Sequence, residues 1–215
     1  MYSNTKSFSG KSKPFLTSAL LQKIKPYSLF LKETLSSPRA VGAVCPSSSY
    51  LAQSMAREVD ITNDGFVIEL GGGTGKITEA LLKHGVAPNK LITIERSAEL
   101  AAYLREKFPD IHVIEGDASQ LVNLLESSKG VKKINSIVSG LPFKSLPKDI
   151  ALAIKKQIQT LLQEGGKFIQ FTYDLSLSAL ALDAPFLIEN SEIEWRNLPP
   201  ARVNTMVFST PTTLT

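Results

Sequence analysis

The sequence predicts an α/β fold in which helices cover both faces of a largely parallel sheet. Short apolar runs alternate with longer segments of helical spacing between residues 66 and 173, and that alternation is typical of a parallel sheet. Glycine and proline mark the junctions, as at Gly85 and Pro109. The first strand also runs into a glycine-rich turn at residues 69–75 that precedes a helix. These observations indicate one domain of ordinary size with a proper core.

The predicted elements follow in order along the chain. Ser47 is expected to cap a first helix that ends near Val59. Strands are predicted near residues 66–70, 91–95, 111–114, 134–139 and 167–173, and helices near residues 75–84, 97–107, 118–128 and 147–162. Two later apolar segments, Phe186–Trp195 and Val203–Phe208, predict a closing antiparallel pair, which brings the sheet to seven strands.

The N-terminal region has a different character from the predicted sheet domain. Residues 1–13 are predicted to be a disordered basic tail, and residues 14–37 to form amphipathic helices that Pro26 splits. The apolar positions that recur at three- and four-residue steps are Leu16, Leu20, Ile24, Tyr27, Leu31 and Leu35.

Charge is unevenly distributed. The chain has a net charge of +4, yet residues 1–39 carry seven basic residues against a single acidic one, so the remainder is net negative. A basic amphipathic segment attached to a mildly acidic domain predicts contact with an anionic membrane surface. The alternative is a pair of helices that simply packs on the sheet.

The turn after the first strand reads Glu-Leu-Gly-Gly-Gly-Thr-Gly and is the most informative motif. A P-loop ending at Gly75 needs a glycine where Leu70 stands and a hydroxyl residue where Ile77 stands. A dinucleotide fingerprint starting at Gly71 needs its third glycine where Lys76 stands. The spacing present is acid-x-Gly-x-Gly-x-Gly, which resembles motif I of class I S-adenosylmethionine (SAM)-dependent methyltransferases.

This motif predicts the first cofactor contacts. The carboxylate of Glu69 is expected to bind the ammonium group of SAM, directly or through water, and the N–H groups of the turn are expected to bind its carboxylate. The glycines predicted to lie at the cofactor are Gly71, Gly72, Gly73 and Gly75. A tight structural turn without a ligand is the alternative interpretation.

Two more acids stand at the ends of the next two strands. Glu95 follows the glycines by about 20 residues, the spacing at which an acid binds ribose hydroxyls in βαβ cofactor folds. Asp117 and Ala118 follow the third strand, and in SAM methyltransferases such a pair contacts the adenine. The neighbouring Arg96 and Gly116 are assigned to the same cofactor site. Each acid alone can instead be a solvated strand end or a helix cap.

The acceptor is expected beyond the fourth strand, where the sequence reads Ser139-Gly140-Leu141-Pro142-Phe143. This segment resembles the Asn/Asp-Pro-Pro-Tyr/Phe motif of amino-group methyltransferases and, more loosely, the Asn-Leu-Pro-Tyr of rRNA adenine dimethylases. Gly140 replaces the Asn and is assigned to the cofactor site.

The candidate catalytic residues are Ser139, Phe143 and Tyr173, and Tyr173 is expected at the same rim as Phe143. Aromatic rings suit an amine that becomes cationic, since a cation–π contact contributes about 0.5–2 kcal/mol. Packing of either ring in the core is the alternative.

Nearly the whole chain resembles the bacterial phospholipid N-methyltransferases of the PmtA type, which are related to rRNA adenine dimethylases. The more specific blocks are Ser37–Val44 and Leu198–Val203. Gly72 stands where that family frequently has a proline. The resemblance implies a Rossmann-like, seven-stranded class I methyltransferase domain at residues 38–215.

The resemblance also implies SAM-dependent N-methylation of phosphatidylethanolamine, through its mono- and dimethyl forms, toward phosphatidylcholine, with S-adenosyl-L-homocysteine as the other product. We expect a phospholipid substrate, an anionic membrane surface bound through residues 14–37, no nucleic-acid partner and a monomer. The expected place is the cytoplasm, at the inner face of the cytoplasmic membrane. The lone Cys45 suits a reducing compartment, and His84 and His112 offer no metal site.

Two alternatives stay open. An rRNA or other nucleic-acid adenine N6-methyltransferase would share the glycine turn, although residues 40–215 are net acidic and a nucleic-acid site needs basic residues. A non-catalytic membrane-binding protein that keeps the fold would not bind SAM.

Overall fold

A seven-stranded sheet with the strand order β3-β2-β1-β4-β5-β7-β6 forms the centre of the protein. The structure, a computed structural model, describes residues 48–128, 131, 133–176 and 186–209. The strands are β1 Phe66–Leu70, β2 Leu91–Glu95, β3 His112–Glu115, β4 Ile134–Ser139, β5 Lys167–Thr172, β6 Phe186–Glu194 and β7 Ala201–Phe208. Strands β1 to β5 pair in parallel, and β7 pairs antiparallel with both β5 and β6. The predicted fold class and the closing antiparallel pair are confirmed.

Helices connect the parallel strands, as the alternating sequence pattern predicted. α1 Ser49–Arg57 precedes β1, and the connecting helices are α2 Lys76–His84, α3 Ala98–Lys107, α4 Leu121–Glu126 and α5 Lys148–Leu161. The segment before α4 is a 3-10 turn at Ala118–Gln120. The cap of α1 was placed one residue too early, because the side chain of Ser48 rather than Ser47 accepts the N–H of Leu51 at 3.2 Å.

The two faces of the sheet pack against different helices. Alternate residues along each strand point to opposite faces. Val67 and Val138 pack with the apolar residues of α1 and α2, whereas Ile68 and Ile137 pack with those of α4 and α5. β1, β2 and β4 are buried along almost their whole length, as expected of central parallel strands that helices cover on both faces.

Strand pairing places the turn between β6 and β7 at a defined edge of the sheet. Arg202 of β7 pairs with Thr172 at the carboxyl end of β5, and Glu194 of β6 pairs with Ala201. The carboxyl ends of parallel strands share one edge, so residues 195–200 lie at the same edge as the glycine turn and the loop after β4.

Several predictions fall on residues that the structure leaves out. The tail at 1–13, the amphipathic helices at 14–37, the block Ser37–Val44 and Cys45 all lie outside the described residues. Among the helices of the described segments, none combines the length and apolar character needed to cross a bilayer.

Candidate active site

The predicted site residues converge on the carboxyl edge of the parallel strands. β1 lies between β2 and β4, with Leu70 paired to Ile94 on one side and to Ser139 on the other. The glycine turn therefore lies between the acid that ends β2 and the loop that follows β4. Neighbouring strands that continue into diverging loops leave a crevice at such an edge, where α/β folds bind their ligands.

The glycine turn has one open position and several packed ones. Gly73 has a left-handed φ of +53°, and a Cβ added there would meet nothing within 4 Å. A Cβ on Gly72, in contrast, would lie 2.4 Å from the Thr93 side chain and 2.7 Å from that of Leu104. The structure thus gives Gly72 a packing role against β2 and α3, while the chain at Gly73 faces open space.

The N–H groups of the turn are largely engaged within the protein. Gly71 donates to the carbonyl of Ile94 at 2.8 Å, and Gly75 donates to the carbonyl of Gly72 at 2.8 Å. Gly73 donates to the carboxylate of Glu95 at 2.9 Å. The expectation that the N–H groups of the turn bind a ligand carboxylate stays a prediction, and these three amides would first have to leave their protein acceptors.

Glu69 is a fully buried acid with one unsatisfied oxygen. Thr78 and Thr93 donate their hydroxyls to its Oε2 at 2.6 and 2.8 Å, whereas Oε1 has no hydrogen-bond partner. Burial raises the pKa of Glu69, and the threonine hydrogen bonds offset only part of that rise. An unpaired buried carboxylate oxygen is costly, so Oε1 is a strong acceptor for a cationic ligand group.

The acid at the end of β2 contacts the glycine turn directly. Glu95 is buried, and its carboxylate accepts the N–H of Gly73 through Oε2 and the N–H of Ser97 through Oε1 at 2.8 Å. The backbone carbonyl of Glu95 accepts the N–H of Gly116 at 3.0 Å. The sequence placed Glu95 beside the glycines on spacing alone, and the structure brings the two together.

The end of β3 completes this side of the crevice. Asp117 accepts the N–H of Ser119 at 2.8 Å and lies 3.8 Å from the Arg96 guanidinium. Partial burial raises the pKa of Asp117, but the Ser119 hydrogen bonds and Arg96 outweigh it, so the pKa lies below its usual value. Ala118 follows as a buried residue. Asp117 therefore caps the 3-10 turn as well as lining the predicted site.

The loop after β4 is joined to the end of β1 through backbone contacts. Gly140 donates its N–H to the carbonyl of Leu70 at 2.8 Å. A Cβ on Gly140 would lie 2.9 Å from the carbonyl oxygen of Gly71, which leaves no room for a side chain. The hydroxyl of Ser139 is buried and accepts the N–H of Leu141 at 3.2 Å. Ser139 thus shapes the loop.

The two predicted aromatic residues do not form one face. Phe143 is buried on the α5 side of the sheet, edge-to-face with Phe168 at 5.9 Å. Tyr173 packs on the α1 side, edge-to-face with Phe171 at 5.5 Å. The shared rim is corrected for a geometric reason: Phe168 and Phe171 are an odd number of residues apart in β5, so they point to opposite faces. Phe143 packs in the core, as the alternative interpretation expected.

Sequence reasoning missed an ion pair across the candidate acceptor opening. Lys144 in the loop after β4 pairs with Asp174 in the loop after β5. The Lys144 ammonium, helped by the hydroxyl and amide of Ser176, holds the pKa of Asp174 well below its usual range. The pair connects the two loops at the expected acceptor site. It could be found only from the structure, because the two loops are far apart in the sequence.

A second missed residue is Arg202 at the start of β7. Its guanidinium is buried, donates to the carbonyl of Leu175 at 2.7 Å and to the hydroxyl of Ser191 at 3.0 Å, and has no partner at Nε. Within the described ranges no carboxylate pairs with it. The Leu198–Val203 block singled it out, but no role was assigned to it.

Comparison with known proteins decides the family. No family model matches the chain. An ornithine lipid N-methyltransferase from Singulisphaera acidiphila is 31% identical over 186 residues, which cover 83% of this chain and 94% of that protein. The chain belongs to the class I SAM-dependent methyltransferases.

Other methyltransferases match less completely. A ribosomal RNA small subunit methyltransferase A from Thermotoga petrophila is 30% identical over 149 residues, but these span only 53% of that protein. The magnesium protoporphyrin IX methyltransferase of Synechocystis, solved with bound SAM, superposes with a TM-score of 0.53 over 93% of this chain and 87% of its own length, at 12% identity. That likeness shows the methyltransferase fold.

The residues of this methyltransferase fit SAM chemically. The unsatisfied Oε1 of Glu69 suits the ammonium group of the cofactor, and the open position at Gly73 allows close approach. Glu95 already lies against that turn, where its carboxylate can exchange an amide donor for ribose hydroxyls. These three groups carry the fit.

Proposed function

We propose that this SAM-dependent methyltransferase N-methylates the amine of a membrane lipid, with phosphatidylethanolamine and its mono- and dimethyl forms as acceptors. The observation that carries the proposal is the near full-length match to a protein named for N-methylation of ornithine lipid. Both lipids present an amine. We further propose that the enzyme works peripherally at the inner face of the cytoplasmic membrane, with residues 14–37 at the surface.

The cofactor's role sets what the protein has to do. SAM supplies an activated methyl group, so the amine nitrogen forms a C–N bond as the C–S bond breaks, and S-adenosylhomocysteine leaves. The chain must align the amine and exclude water. In the proposal Glu69 anchors the ammonium end, Glu95 binds the ribose, and Asp117 with Ala118 lies at the adenine.

The acceptor is proposed to enter between the loops after β4 and β5. The Lys144–Asp174 pair holds these loops together, and Tyr173 directly precedes Asp174 and packs against Phe171. We propose that the Tyr173 hydroxyl orients the lipid amine. The proton that the ammonium group loses before methyl transfer passes to water. Phe143 anchors the loop after β4 to the core through its contact with Phe168.

An adenine acceptor in rRNA is the second candidate, favoured by the matches to rRNA methyltransferases. The rRNA dimethylase motif has an Asn where this chain has Gly140. Here that position packs against the backbone of the glycine turn, with 2.9 Å between an added Cβ and the carbonyl oxygen of Gly71. This loop therefore lacks the Asn side chain that would form hydrogen bonds to an adenine base.

The test offers each acceptor separately to the full chain with methyl-labelled SAM. The arms are vesicles with phosphatidylethanolamine, vesicles with ornithine lipid, and rRNA, and thin-layer chromatography separates the labelled lipids. We expect label in mono- and dimethylated phosphatidylethanolamine, and none with a Glu95→Ala control that lacks the ribose contact. If only ornithine lipid is labelled, the acceptor is still a lipid amine, but the headgroup is that of ornithine lipid and not phosphatidylethanolamine. If only rRNA is labelled, the proposal is refuted.

A second measurement separates an enzyme from a non-catalytic protein. Calorimetric titration of the purified chain with SAM is expected to show one site. Expression in a bacterium that lacks phosphatidylcholine, followed by lipid chromatography, then tests the product in a cell. If those cells contain no methylated lipid, the proposal of a lipid acceptor is contradicted.

A further inference from the structure

The turn between β6 and β7 presents two large apolar side chains to solvent. Trp195 is 68% exposed and Leu198 is 74% exposed, the highest values among the large apolar residues that the structure describes. Exposed apolar groups that form a contiguous patch are typical of interaction surfaces, and these two lie on one short turn. The rest of residues 195–200 consists of Arg196, Asn197, Pro199 and Pro200.

The turn is firmly held although its apolar residues point outward. Arg196 donates to both carboxylate oxygens of Glu194, at 2.8 and 2.7 Å, and stacks 4.6 Å from the ring centre of Tyr50. Arg196 lowers the pKa of Glu194 to about 2, so this clamp stays charged at neutral pH. The exposed side chains are therefore presented by a fixed scaffold.

The turn is also joined to the start of the described chain. Asn197 is buried, accepts the N–H of Ser48 at 3.2 Å and donates to the carbonyl of Pro199 at 2.6 Å. The residues before Ser48 include the segment 1–39, whose net charge is strongly positive. Basic residues elsewhere in the same chain favour binding of the protein to an anionic surface.

We propose that residues 195–200 form a membrane-docking tip, which inserts Trp195 and Leu198 among lipid headgroups and sets the acceptor opening against the bilayer. The proposal rests on the lipid acceptor proposed above. Register gives the geometry, because Glu194 pairs with Ala201 and Arg202 with Thr172. The tip therefore shares an edge with the loops after β4 and β5, where a lipid amine has to arrive.

A bilayer suits this tip better than a protein partner does. Tryptophan favours the membrane interface, where its ring is apolar and its N–H stays near water. A stable protein interface buries about 800 Å² on each side, far more than two side chains supply. A few inserted side chains, aided by basic residues, are enough to hold a peripheral protein on a membrane.

The chain offers a direct optical test, because Trp195 is its only tryptophan. With vesicles of phosphatidylethanolamine and phosphatidylglycerol, the emission of the full-length protein is expected to shift to the blue and to be quenched by lipids brominated near the headgroup. An unshifted, unquenched emission at saturating vesicles overturns the proposal. Emission that is already blue and shielded from acrylamide before vesicles are added also overturns it, since the chain itself or a second copy then covers the tip.

A matched pair of variants tests the tip without relying on the tryptophan signal. Trp195→Ala combined with Leu198→Ala is compared with Leu187→Ala, whose leucine is 63% exposed and lies at the other end of β6, paired with Val207. Sedimentation with vesicles is expected to weaken roughly tenfold in the double variant and to stay unchanged in the control. Equal binding by all three proteins contradicts the proposal.

Failure of docking and failure of the proposed function give different results. The double variant is expected to bind SAM normally and to methylate a short-chain lipid amine dispersed in detergent at the wild-type rate, while it methylates vesicle lipid several-fold more slowly. An equal loss in detergent and on vesicles means that the tip acts on folding or chemistry and refutes docking. If the wild-type enzyme methylates no lipid amine at all, the proposed acceptor is wrong. The fluorescence experiment still shows whether residues 195–200 dock on a membrane.

Discussion

Replacing Glu69 by glutamine is expected to stabilise the fold and to weaken SAM binding at the same time. The carboxylate is fully buried and its Oε1 has no partner. Glutamine keeps the shape, and its carbonyl oxygen can still accept the hydroxyls of Thr78 and Thr93, which lie 2.6 and 2.8 Å from Oε2. The substitution removes the buried charge and also the charge that the SAM ammonium is proposed to contact.

The two effects have comparable sizes and opposite signs. An unsatisfied buried group costs about 1–3 kcal/mol. The glutamine amide is neutral but still lacks one partner, so it keeps part of this cost. The free energy of unfolding is therefore expected to rise by about 1 kcal/mol at pH 7. A hydrogen bond to a charged group contributes about 1.5–3 kcal/mol, so the SAM dissociation constant is expected to rise by one to two orders of magnitude. Urea denaturation and calorimetric titration measure the two quantities.

The pH dependence follows from the direction of the pKa shift. The pKa of folded Glu69 lies above its ordinary value of 4.5 because burial disfavours the charge. Its contribution to stability is fully present below about pH 4.5 and is lost as the pH rises through the folded pKa. The stability difference between variant and wild type is therefore expected to be small near pH 4 and to grow toward neutral pH.

Glu79→Gln in α2, the helix that follows the glycine turn, supplies the matched control. Glu79 is partly exposed and pairs with Lys83 at 2.6 Å, and such surface pairs contribute less than about 1 kcal/mol. Neither stability nor SAM affinity is expected to change much in this variant. A Glu69→Gln protein that is less stable than the wild type but binds SAM equally well would refute the reasoning, since Glu69 would then have a purely structural role.

Four further outcomes are expected. Gly140→Ala places a Cβ 2.9 Å from a backbone oxygen and is expected to cost about 1–3 kcal/mol of stability and to weaken SAM binding, as thermal melts with and without SAM will show. Tyr173→Phe is expected to slow turnover with unchanged SAM affinity, and unchanged turnover would remove the orienting role of the hydroxyl. Asp174→Asn breaks the pair with Lys144 and is expected to raise KM for the lipid several-fold without a change in SAM affinity. Ser48→Ala removes the cap of α1 and is expected to cost about 1 kcal/mol in urea denaturation.

The convergence of the candidate cofactor residues at one edge of the sheet could be predicted because its signals are local. Acid, glycine and strand-end positions recur at fixed spacing along the chain, and parallel strands bring their carboxyl ends to one edge whatever the details of packing. The contact between Glu95 and Gly73 at 2.9 Å is the direct result. The engaged amides of the turn were not foreseen, since hydrogen-bond partners depend on coordinates rather than on spacing.

The acceptor side could be predicted less well because it depends on which strands become neighbours. The expected aromatic rim failed because Phe143 and Tyr173 pack on opposite faces of the sheet. The Lys144–Asp174 pair joins residues 30 positions apart, and the partners of Arg202 come from β6 and from the loop after β5. Sequence periodicity does not predict which residues from distant segments come into contact.

Local spacing and the alternation of apolar residues were enough to predict the order of strands and helices, the SAM-type glycine turn and the three strand-end acids. The folded structure was needed to reveal the orphaned oxygen of Glu69, the packed backbone at Gly140 and the exposed Trp195 beside the acceptor edge. All three features depend on non-local packing, because β1 lies between β2 and β4, and β7 lies between β5 and β6. That non-local pairing folds the end of the chain back onto the edge where the glycine turn lies.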